Sequence, residues 1–224
     1  MSEIGVRPTV MQVAREREDV VVGDEIVRHK FSSRVIHWMV ALFFFTALLT
    51  GMPIWSPVFG WMAYFFGGLT VCRWLHPWAG IAFAVASLVM FVDWLAQMRF
   101  DEHDRHWNVI QYLRFSGAED QEVGKYNAGQ KGFFWAAMAM MLVLLLTGIV
   151  LWWSAYFSQP FRSVSILLHS LAFIGFFCAI VAHIYLGTAA EPGTFRSMTR
   201  GTVSKAWARL HHPRWFREVT GGKP

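Results

Sequence analysis

The chain has 224 residues, of which 55% are hydrophobic and 17% aromatic. Soluble globular domains seldom have this composition, so the sequence predicts a membrane protein. The two cysteines, Cys72 and Cys178, lie far apart, which excludes a disulfide framework, a thiolate zinc site and a covalently attached c-type haem. The formal net charge is +5, but the basic residues are distributed as membrane topology requires, and no nucleic-acid partner is predicted.

The first 34 residues are charged and contain no apolar core of the length that a signal peptide needs. Both signs of charge are mixed between Arg15 and Lys30. Residues 1–34 are therefore predicted to form a cytoplasmic, partly flexible N-terminal extension.

Four apolar runs are long enough to cross the hydrocarbon core of a bilayer, which takes about 20 helical residues. The runs cover residues 35–56, 75–97, 132–155 and 163–189. They predict an all-α membrane protein built as a bundle of four transmembrane helices. A fifth apolar run, residues 57–71, is only 15 residues long and contains a proline and three glycines, so its length alone leaves it ambiguous.

The charge distribution decides between four and five spans. With four spans, 18 Lys and Arg residues fall on the side of the two termini and only Arg73 and Arg162 on the other. Counting residues 57–71 as a fifth span gives a split of 8 against 12, which favours no orientation. The positive-inside rule therefore predicts four spans, both termini in the cytoplasm, a cytoplasmic tail at 190–224 and an aromatic outer loop at 57–71.

Four of the nine histidines lie in the predicted spans, where an ionisable ring is costly and functional by default. With alternating helix directions, His37 and His183 lie near the cytoplasmic surface, and His76 and His169 near the outer surface. The histidines therefore pair by depth. The other five are predicted to be ordinary surface residues: His29, His103, His106, His211 and His212.

The fourth span carries His169 and His183, fourteen positions apart. Fourteen helical residues return to within about 40° of the starting direction and rise about 21 Å, so both rings leave one helix face at two depths. A bis-histidine iron porphyrin takes two imidazoles from facing helices of a bundle. A structural zinc ion needs four protein ligands, and no further Cys, Asp or Glu lies at these depths. The pattern favours two b-type haems over four histidines that merely hydrogen-bond between helices.

Two further features fit a macrocycle beside these histidines. Small residues stand one turn from three of the four rings, among them Gly80 and Gly187. Arg34 and Arg73 each precede a histidine by three residues, which puts each guanidinium at the membrane edge near a haem propionate. The alternative is that both arginines only mark the ends of spans.

Three motifs resemble a known family: "HKFSSRVIHW" opens the first span, "WLHPWAG" opens the second, and "KYNAGQKGFFW" leads into the third. The family is the cytochrome b (gamma) subunit of membrane-bound formate dehydrogenase of the nitrate-inducible type. The spacing of His169 and His183 and the tail "HHPRWFRE" agree with it. The resemblance covers residues from about Arg28 to Arg217.

The resemblance implies haem ligation by His76 with His169 on the outer side and by His37 with His183 on the inner side. It also implies a menaquinone or ubiquinone site beside the inner haem. That site is formed by Asn127, Gly129 and Gln130 next to His183. Unpaired N–H groups at a helix start, amide donors and a glycine that admits a ring make such a site reasonable; an ordinary helix cap is the alternative.

The partners implied by the resemblance are an iron–sulfur (beta) subunit and a molybdo- or tungsto-pterin catalytic (alpha) subunit on the outer face, with a higher oligomer of this heterotrimer left open. Electrons would pass from the iron–sulfur subunit through the outer and inner haems to quinone, in the bacterial inner membrane, during anaerobic respiration. The chain has no catalytic residue for formate and would serve as the quinone-reducing subunit of a formate:quinone oxidoreductase.

Other features and functions stay open. Asp93 is predicted to end the second helix rather than relay protons, and residues 98–115 to form an interfacial amphipathic segment covering the quinone site. The same scaffold would suit the cytochrome b anchor of a nickel–iron hydrogenase or thiosulfate reductase. It would also suit a stand-alone cytochrome b561-like quinol or superoxide oxidase. A metal transporter or structural anchor without haem is the alternative outside redox chemistry.

Overall fold

The computed structural model describes residues 9–108 and 122–222. Over these residues the regular secondary structure is helical apart from one small antiparallel sheet. In chain order the regular elements are α1 (Val10–Glu16), β1 (Val20–Val22), β2 (Glu25–Val27), α2 (Phe31–Trp55), a 3₁₀ helix (Pro57–Phe66), α3 (Leu69–Trp94), a 3₁₀ helix (Glu102–His106), α4 (Ala128–Trp152), a 3₁₀ turn (Ser154–Tyr156), α5 (Gln159–Tyr185), a π turn (Leu186–Ala190), α6 (Thr194–Thr199), β3 (Thr202–Ser204), α7 (Lys205–His211) and α8 (Pro213–Thr220).

Within residues 9–108 and 122–222, four helices, α2 to α5, are long and apolar enough to cross a membrane, which confirms the predicted number of spans. Each begins a few residues before the predicted apolar run. The apolar run measures only the part that matches hydrocarbon, whereas backbone hydrogen bonding continues into the polar residues beside it. Together these helices make the chain a multi-pass membrane protein.

Residues 57–71 differ from the predicted loop. Pro57–Phe66 is a 3₁₀ helix whose start is capped by the Ser56 hydroxyl, which accepts from Val58 N at 3.4 Å. Gly67 and Gly68 follow with φ of 85° and 111°, a conformation that glycine adopts without steric cost. Helix α3 then begins at Leu69. The segment exposes large aromatic residues, as predicted: Trp61, Tyr64 and Phe65.

The chain divides into two compact units. The first, called the helical unit, comprises residues 36–94 and 134–182. Its centre is a triangle of buried phenylalanines from α2, α3 and α5, namely Phe44, Phe83 and Phe176, with ring centroids 5.0–5.8 Å apart. Each lies seven residues after a membrane histidine, on nearly the same helix face. Along each of the three helices, the triangle therefore lies seven residues further into the span than the histidine.

The second, called the polar unit, comprises residues 1–35, 95–133 and 183–224. Its sheet has the order β1-β2-β3, all antiparallel, with Ile26 opposite Val203. The sheet packs on α7 and α8 through a core of six buried side chains: Ile26, Val203, Trp207, Ala208, Trp215 and Phe216. The prediction of a partly flexible N-terminal extension is therefore wrong for residues 9–34, which are folded against the C-terminal segment.

Arg28 shows how the polar unit joins distant segments. Its side chain is 3% exposed, and its guanidinium donates to the Lys125 carbonyl at 2.5 Å. Three aromatic rings surround it within 4.9–5.6 Å: Tyr126, Trp207 and Trp215. Cation–π contacts and a carbonyl acceptor together compensate for the lost hydration of a buried cation.

Candidate functional site

Two of the predicted site residues lie next to each other in the helical unit. His76 extends from α3 and His169 from α5, and their ring centroids are 6.3 Å apart with ring planes inclined by 74°. Both side chains are half-buried. The structure thus brings together the two histidines that depth alone had paired near the outer end of the helices.

The tautomer of His76 follows from its hydrogen bond. Its Nδ1 lies 2.9 Å from the carbonyl oxygen of Ala47 in α2. A carbonyl only accepts, so Nδ1 carries the hydrogen and donates it. The Nε2 atom is then the unprotonated nitrogen, with a lone pair for a metal ion.

His169 reaches the same state through a side chain. Its Nδ1 lies 2.8 Å from the Thr147 hydroxyl in α4. That hydroxyl already donates its one hydrogen to the Val143 carbonyl at 2.5 Å. Thr147 therefore accepts from His169 Nδ1–H, and Nε2 of His169 is also left as the ligand atom.

A glycine lies beside each of these rings, but only Gly51 is needed to leave space for its histidine. A Cβ atom added at Gly51 would lie 2.8 Å from Cε1 and 3.0 Å from Nδ1 of His76, a distance that the ring could not tolerate. A Cβ added at Gly148 would lie 3.4 Å from Cε1 of His169, at ordinary contact distance. Beside His76, a Cβ at Gly80 would meet no described atom within 4 Å, so this side of α3 has room for a flat group.

This geometry fits a haem better than a bare metal ion. Metal–imidazole bonds of about 2 Å place two opposed ring centroids about 6 Å apart, close to the observed separation. Among the described residues no three His, Cys, Asp or Glu side chains form a group that could hold a metal ion by themselves. A group that brings its own in-plane ligands and needs two imidazoles from the protein fits His76 and His169.

The other two membrane histidines belong to different units, and each has its own aromatic neighbour. His37, in α2 of the helical unit, meets the Trp38 ring edge-on at 5.3 Å. His183, in the part of α5 assigned to the polar unit, stacks on Phe133 at 4.8 Å with ring planes 4° apart. Stacking on Phe133 restricts the rotation of the His183 ring. Their pairing stays a prediction from depth.

The two arginines predicted to meet propionates differ. Arg73 is exposed and makes no hydrogen bond or ion pair with any residue in the described ranges. Arg34 is buried, and its guanidinium donates to the Thr199 carbonyl at 2.8 Å. It also packs against Gly201, where a Cβ would lie 3.0 Å from Nε. The structure thus gives Arg34 a role in fixing the C-terminal segment of the polar unit, which sequence reasoning did not foresee.

The loop before α4 forms a reciprocal cap. The Asn127 side chain accepts from Gln130 N at 2.8 Å, and the Gln130 side chain accepts from Asn127 N at 3.0 Å. Both side-chain oxygens are occupied, so their NH₂ groups are the donors left for a ligand. The space beside Gly129 is taken by Trp107, whose Cη2 would lie 2.7 Å from a Cβ there. The ordinary cap and the predicted quinone donors are thus the same residues.

A cavity of about 240 Å³ lies beside Asn127 in the polar unit. Its walls carry several titratable groups: His103, Asp104, His106 and Glu122. Nearby, the buried Lys131 ammonium pairs with Asp104 at 2.7 Å and with Asp101 at 3.7 Å. Burial opposes ionisation of Asp101, but the hydrogen bond from Arg214 and the charges of Lys131 and Arg214 lower its pKa to about 2.

Two further predicted features can be located in part. Asp93 is half-buried in the last turn of α3, as expected for a residue near a helix end. Of the predicted interfacial segment 98–115, the structure describes residues up to 108, including the 3₁₀ helix Glu102–His106. The part from 109 onwards lies outside the described residues.

Sequence reasoning was wrong about three histidines of the polar unit. His29, His211 and His212 were predicted to be surface residues, but they are 2%, 7% and 0% exposed. His212 Nδ1 donates to the Gly124 carbonyl at 2.7 Å, and its ring packs on Trp207. Charged neighbours in sequence suggested exposure. In the structure, however, Trp207 packs on His211 and His212, and Tyr126 lies beside His29.

Sequence reasoning also missed the residues that support His76 and His169. The signal was present as a repeated motif: "LLTGMPIW" in α2 contains Gly51, and "LLTGIVLW" in α4 contains Thr147 and Gly148. Each copy faces the histidine of the next membrane helix. The repeat was not recognised because eight residues within apolar helices do not stand out by composition.

The chain is similar to known proteins over most of its length. The family model described as prokaryotic cytochrome b561 matches residues 28–201. The chain is 39% identical to the cytochrome b556(Fdn) subunit of nitrate-inducible formate dehydrogenase from Escherichia coli K12, over 87% of this chain and 91% of that protein. It is 35% identical to the formate dehydrogenase cytochrome b556 subunit of Haemophilus influenzae, over 86% and 83%. It is 33% identical to the cytochrome b556(fdo) subunit of Escherichia coli K12, over 88% and 94%.

Proposed function

The chain belongs to the prokaryotic cytochrome b561 family, among the cytochrome b556 subunits of formate dehydrogenases, and we propose that it conducts electrons from a partner iron–sulfur subunit to quinone through two b-type haems. Family membership makes the chain a haem b protein of the membrane. The number of haems, the quinone and the direction of transfer are the parts that this proposal adds.

One observation carries the proposal. The rings of His76 and His169 face each other at 6.3 Å, and each has its Nδ1 hydrogen held by a neighbouring helix. The two Nδ1 atoms and their acceptors, the Ala47 carbonyl and the Thr147 hydroxyl, come from four different helices. These two hydrogen bonds leave both Nε2 atoms unprotonated in an apolar bundle.

The second site is proposed from depth along the helices. His37 and His183 lie in the halves of α2 and α5 opposite the first site, and Phe133 fixes the His183 ring plane. Within the helical unit, the triangle of Phe44, Phe83 and Phe176 fills the bundle with close-packed aromatic rings. When bound, the two haems would supply one-electron carriers at two depths of the membrane. Arg73, exposed beside His76, is the proposed propionate partner of the outer one.

Quinone reduction is proposed at the start of α4. The NH₂ groups of Asn127 and Gln130 remain as donors to a quinone carbonyl once their oxygens have capped the helix. The cavity beside Asn127 is lined by histidine and carboxylate side chains, which can deliver the protons that quinone reduction consumes. Since Trp107 covers Gly129, the Asn127 side of the loop offers the more open approach.

The proposed orientation rests on the distribution of Lys and Arg residues, and the proposed partners rest on the relatives of the chain. The excess of 18 Lys and Arg residues beside the termini over two on the other side supports cytoplasmic termini in a bacterial inner membrane. Residues 35–189 would then form the haem-binding bundle between two cytoplasmic segments. The sequence has only two cysteines, too few to hold an iron–sulfur cluster of its own, and its relatives are formate dehydrogenase subunits. An iron–sulfur subunit and a molybdo- or tungsto-pterin subunit on the outer face are the proposed partners.

The test is to purify the complex through a tag on this chain and add candidate donors anaerobically. Formate is expected to reduce the haem absorption bands, and a soluble quinone analogue to reoxidise them. Reduction by hydrogen but not by formate would overturn the formate assignment in favour of a hydrogenase anchor. A colourless preparation would overturn the haem proposal as a whole.

A further inference from the structure

A Thr–Gly pair occurs at the same place in the repeated motif of α2 and α4, and each pair lies beside a proposed haem ligand. In each copy the glycine faces the Cε1 atom of a histidine on the following helix. In α2 the acceptor for His76 Nδ1 is the backbone carbonyl of Ala47, three residues before Thr50. In α4 the threonine itself, Thr147, bonds Nδ1 of His169. Two rings are thus held by the same edge.

Holding a ring by its Cε1–Nδ1 edge has a geometric consequence. Nδ1 and Nε2 flank Cε1 in the imidazole ring, so fixing Nδ1 and closing the space at Cε1 leaves the ring little freedom to turn. The Nε2 atom then keeps one direction. Ligand bonds to iron need a direction as well as a lone pair, and supporting residues commonly provide it.

The two threonines are used differently. Thr50 is fully buried and donates to the Thr46 carbonyl at 2.6 Å, within its own helix. Thr147 donates within its helix in the same way and in addition accepts from His169. Only the α4 copy therefore holds its histidine through a side chain. The α2 copy holds His76 through the backbone carbonyl of Ala47, which a side-chain substitution does not remove. In α2 the residue to substitute is therefore Gly51.

We propose that Gly51 and Thr147 are positioning residues of the outer haem: Gly51 admits and orients the His76 ring, and Thr147 holds the Nδ1 hydrogen of His169. This inference rests on the proposed function, because it assigns roles toward the haem that His76 and His169 would bind. Neither residue touches the iron. Their effect is exerted through the direction and the basicity of the two imidazoles.

Gly51→Ala provides the steric test. The added methyl group would lie 2.8 Å from His76 Cε1, so the ring must move and the outer haem should be lost, with its content reduced by about tenfold or more. Gly148→Ala is the matched control, because its methyl group meets His169 at 3.4 Å and both haems should remain. Retention of the inner haem in Gly51→Ala shows that the variant has folded.

Thr147→Val provides the electronic test and does not depend on Gly51→Ala folding. Valine keeps the shape of threonine but removes the acceptor for His169 Nδ1–H. An imidazole that donates to an acceptor is more basic and favours ferric iron, so its loss should raise the midpoint potential of one haem only. Thr147→Ser retains a hydroxyl and should restore the wild-type potential.

The readouts are haem content per chain and a redox titration followed by absorption, on the full-length chain in its complex. If the wild-type protein has two haems but Gly51→Ala retains both and Thr147→Val leaves both potentials unchanged, the positioning roles are refuted while the proposed function stands. If the wild-type protein contains no haem, the proposed function itself fails.

Discussion

His76 in the helical unit and His212 in the polar unit resemble each other in one respect and differ in another. Each donates from Nδ1 to a backbone carbonyl, at 2.9 Å to Ala47 and at 2.7 Å to Gly124. His76 then faces a second imidazole, whereas the Nε2 atom of His212 is buried without a hydrogen-bond partner among the described residues. A fixed tautomer therefore does not identify a ligand. The opposed second ring is what supports the proposal that His76 is a haem ligand.

The largest expected difference between the two histidines is in haem content. His76→Ala should remove the outer haem and block quinone reduction by the physiological donor, because one of the two residues that would hold the iron is lost. His212→Ala should leave the haem content unchanged and affect only the stability of the polar unit. Haem and protein assays on both purified variants make the comparison, and full retention of haem in His76→Ala would refute the ligand assignment.

A substitution in the polar unit should change the rate of haem reoxidation rather than the haem content. Asn127→Ala, in the polar unit, should leave both haems reducible but slow their reoxidation by a quinone analogue about twofold to tenfold, as expected for a hydrogen bond of about 0.5–1.5 kcal/mol. Stopped-flow absorption measures both phases.

Asn127→Asp is the matched control for that experiment. Aspartate retains an oxygen that can cap Gln130 N but has no NH₂ group. If it reoxidises as slowly as Asn127→Ala, the NH₂ donor is responsible. Wild-type kinetics in the aspartate variant would reduce Asn127 to a helix cap and contradict its quinone role.

A pH titration should act on the polar unit through His212. Burial, together with the charge of Arg28, lowers the pKa of His212 well below its usual value, although the Gly124 carbonyl opposes this. A depressed histidine pKa means that the folded unit favours the neutral ring. The folded polar unit therefore has its full stability above about pH 6.5, the usual histidine pKa. It loses stability progressively at lower pH, because the unfolded chain then binds a proton that the folded unit does not.

Hydrogen exchange of peptides from residues 202–216 as a function of pH measures this loss. His212→Gln retains a donor for the Gly124 carbonyl without a titrating group and should flatten the pH dependence below pH 6.5. A wild-type exchange pattern without pH dependence, after correction for intrinsic rates, would contradict the role of His212.

The smallest effect is expected from Asp101→Asn. The pKa of Asp101 is lowered to about 2, with burial opposing and Arg214 and Lys131 causing the shift. Its stabilisation is therefore present above about pH 4 and lost only toward pH 2. The side chain is 38% exposed, so solvent screens the pair and the change in melting temperature near pH 7 should be small. A large loss of stability would mean that the ion pair organises the cavity beside Asn127.

The membrane helices could largely be predicted because two simple sequence features specify them, the length of the apolar runs and the spacing of the histidines. Apolar runs of bilayer length indicated four helices, and the spacing of His169 and His183 indicated two levels on one face. The supporting residues Gly51 and Thr147 were not predicted, because their roles depend on which atoms of a neighbouring helix they meet. No pattern within one helix contains that information.

The polar unit was harder to predict for a physical reason. Its sheet pairs Glu25–Val27 with Thr202–Ser204 across most of the chain, and three-residue strands have almost no periodicity to detect. The burial of His211 and His212 depends on this long-range pairing, since it brings the Trp207 and Trp215 rings together with the N-terminal segment. Local charge gave the opposite expectation.

The most direct measurement of the central claim is the number of b-type haems per polypeptide, obtained from a pyridine haemochrome assay and quantitative amino-acid analysis of the purified protein. Two haems per chain are predicted, one for each pair of histidines. A value of one or zero would contradict the account.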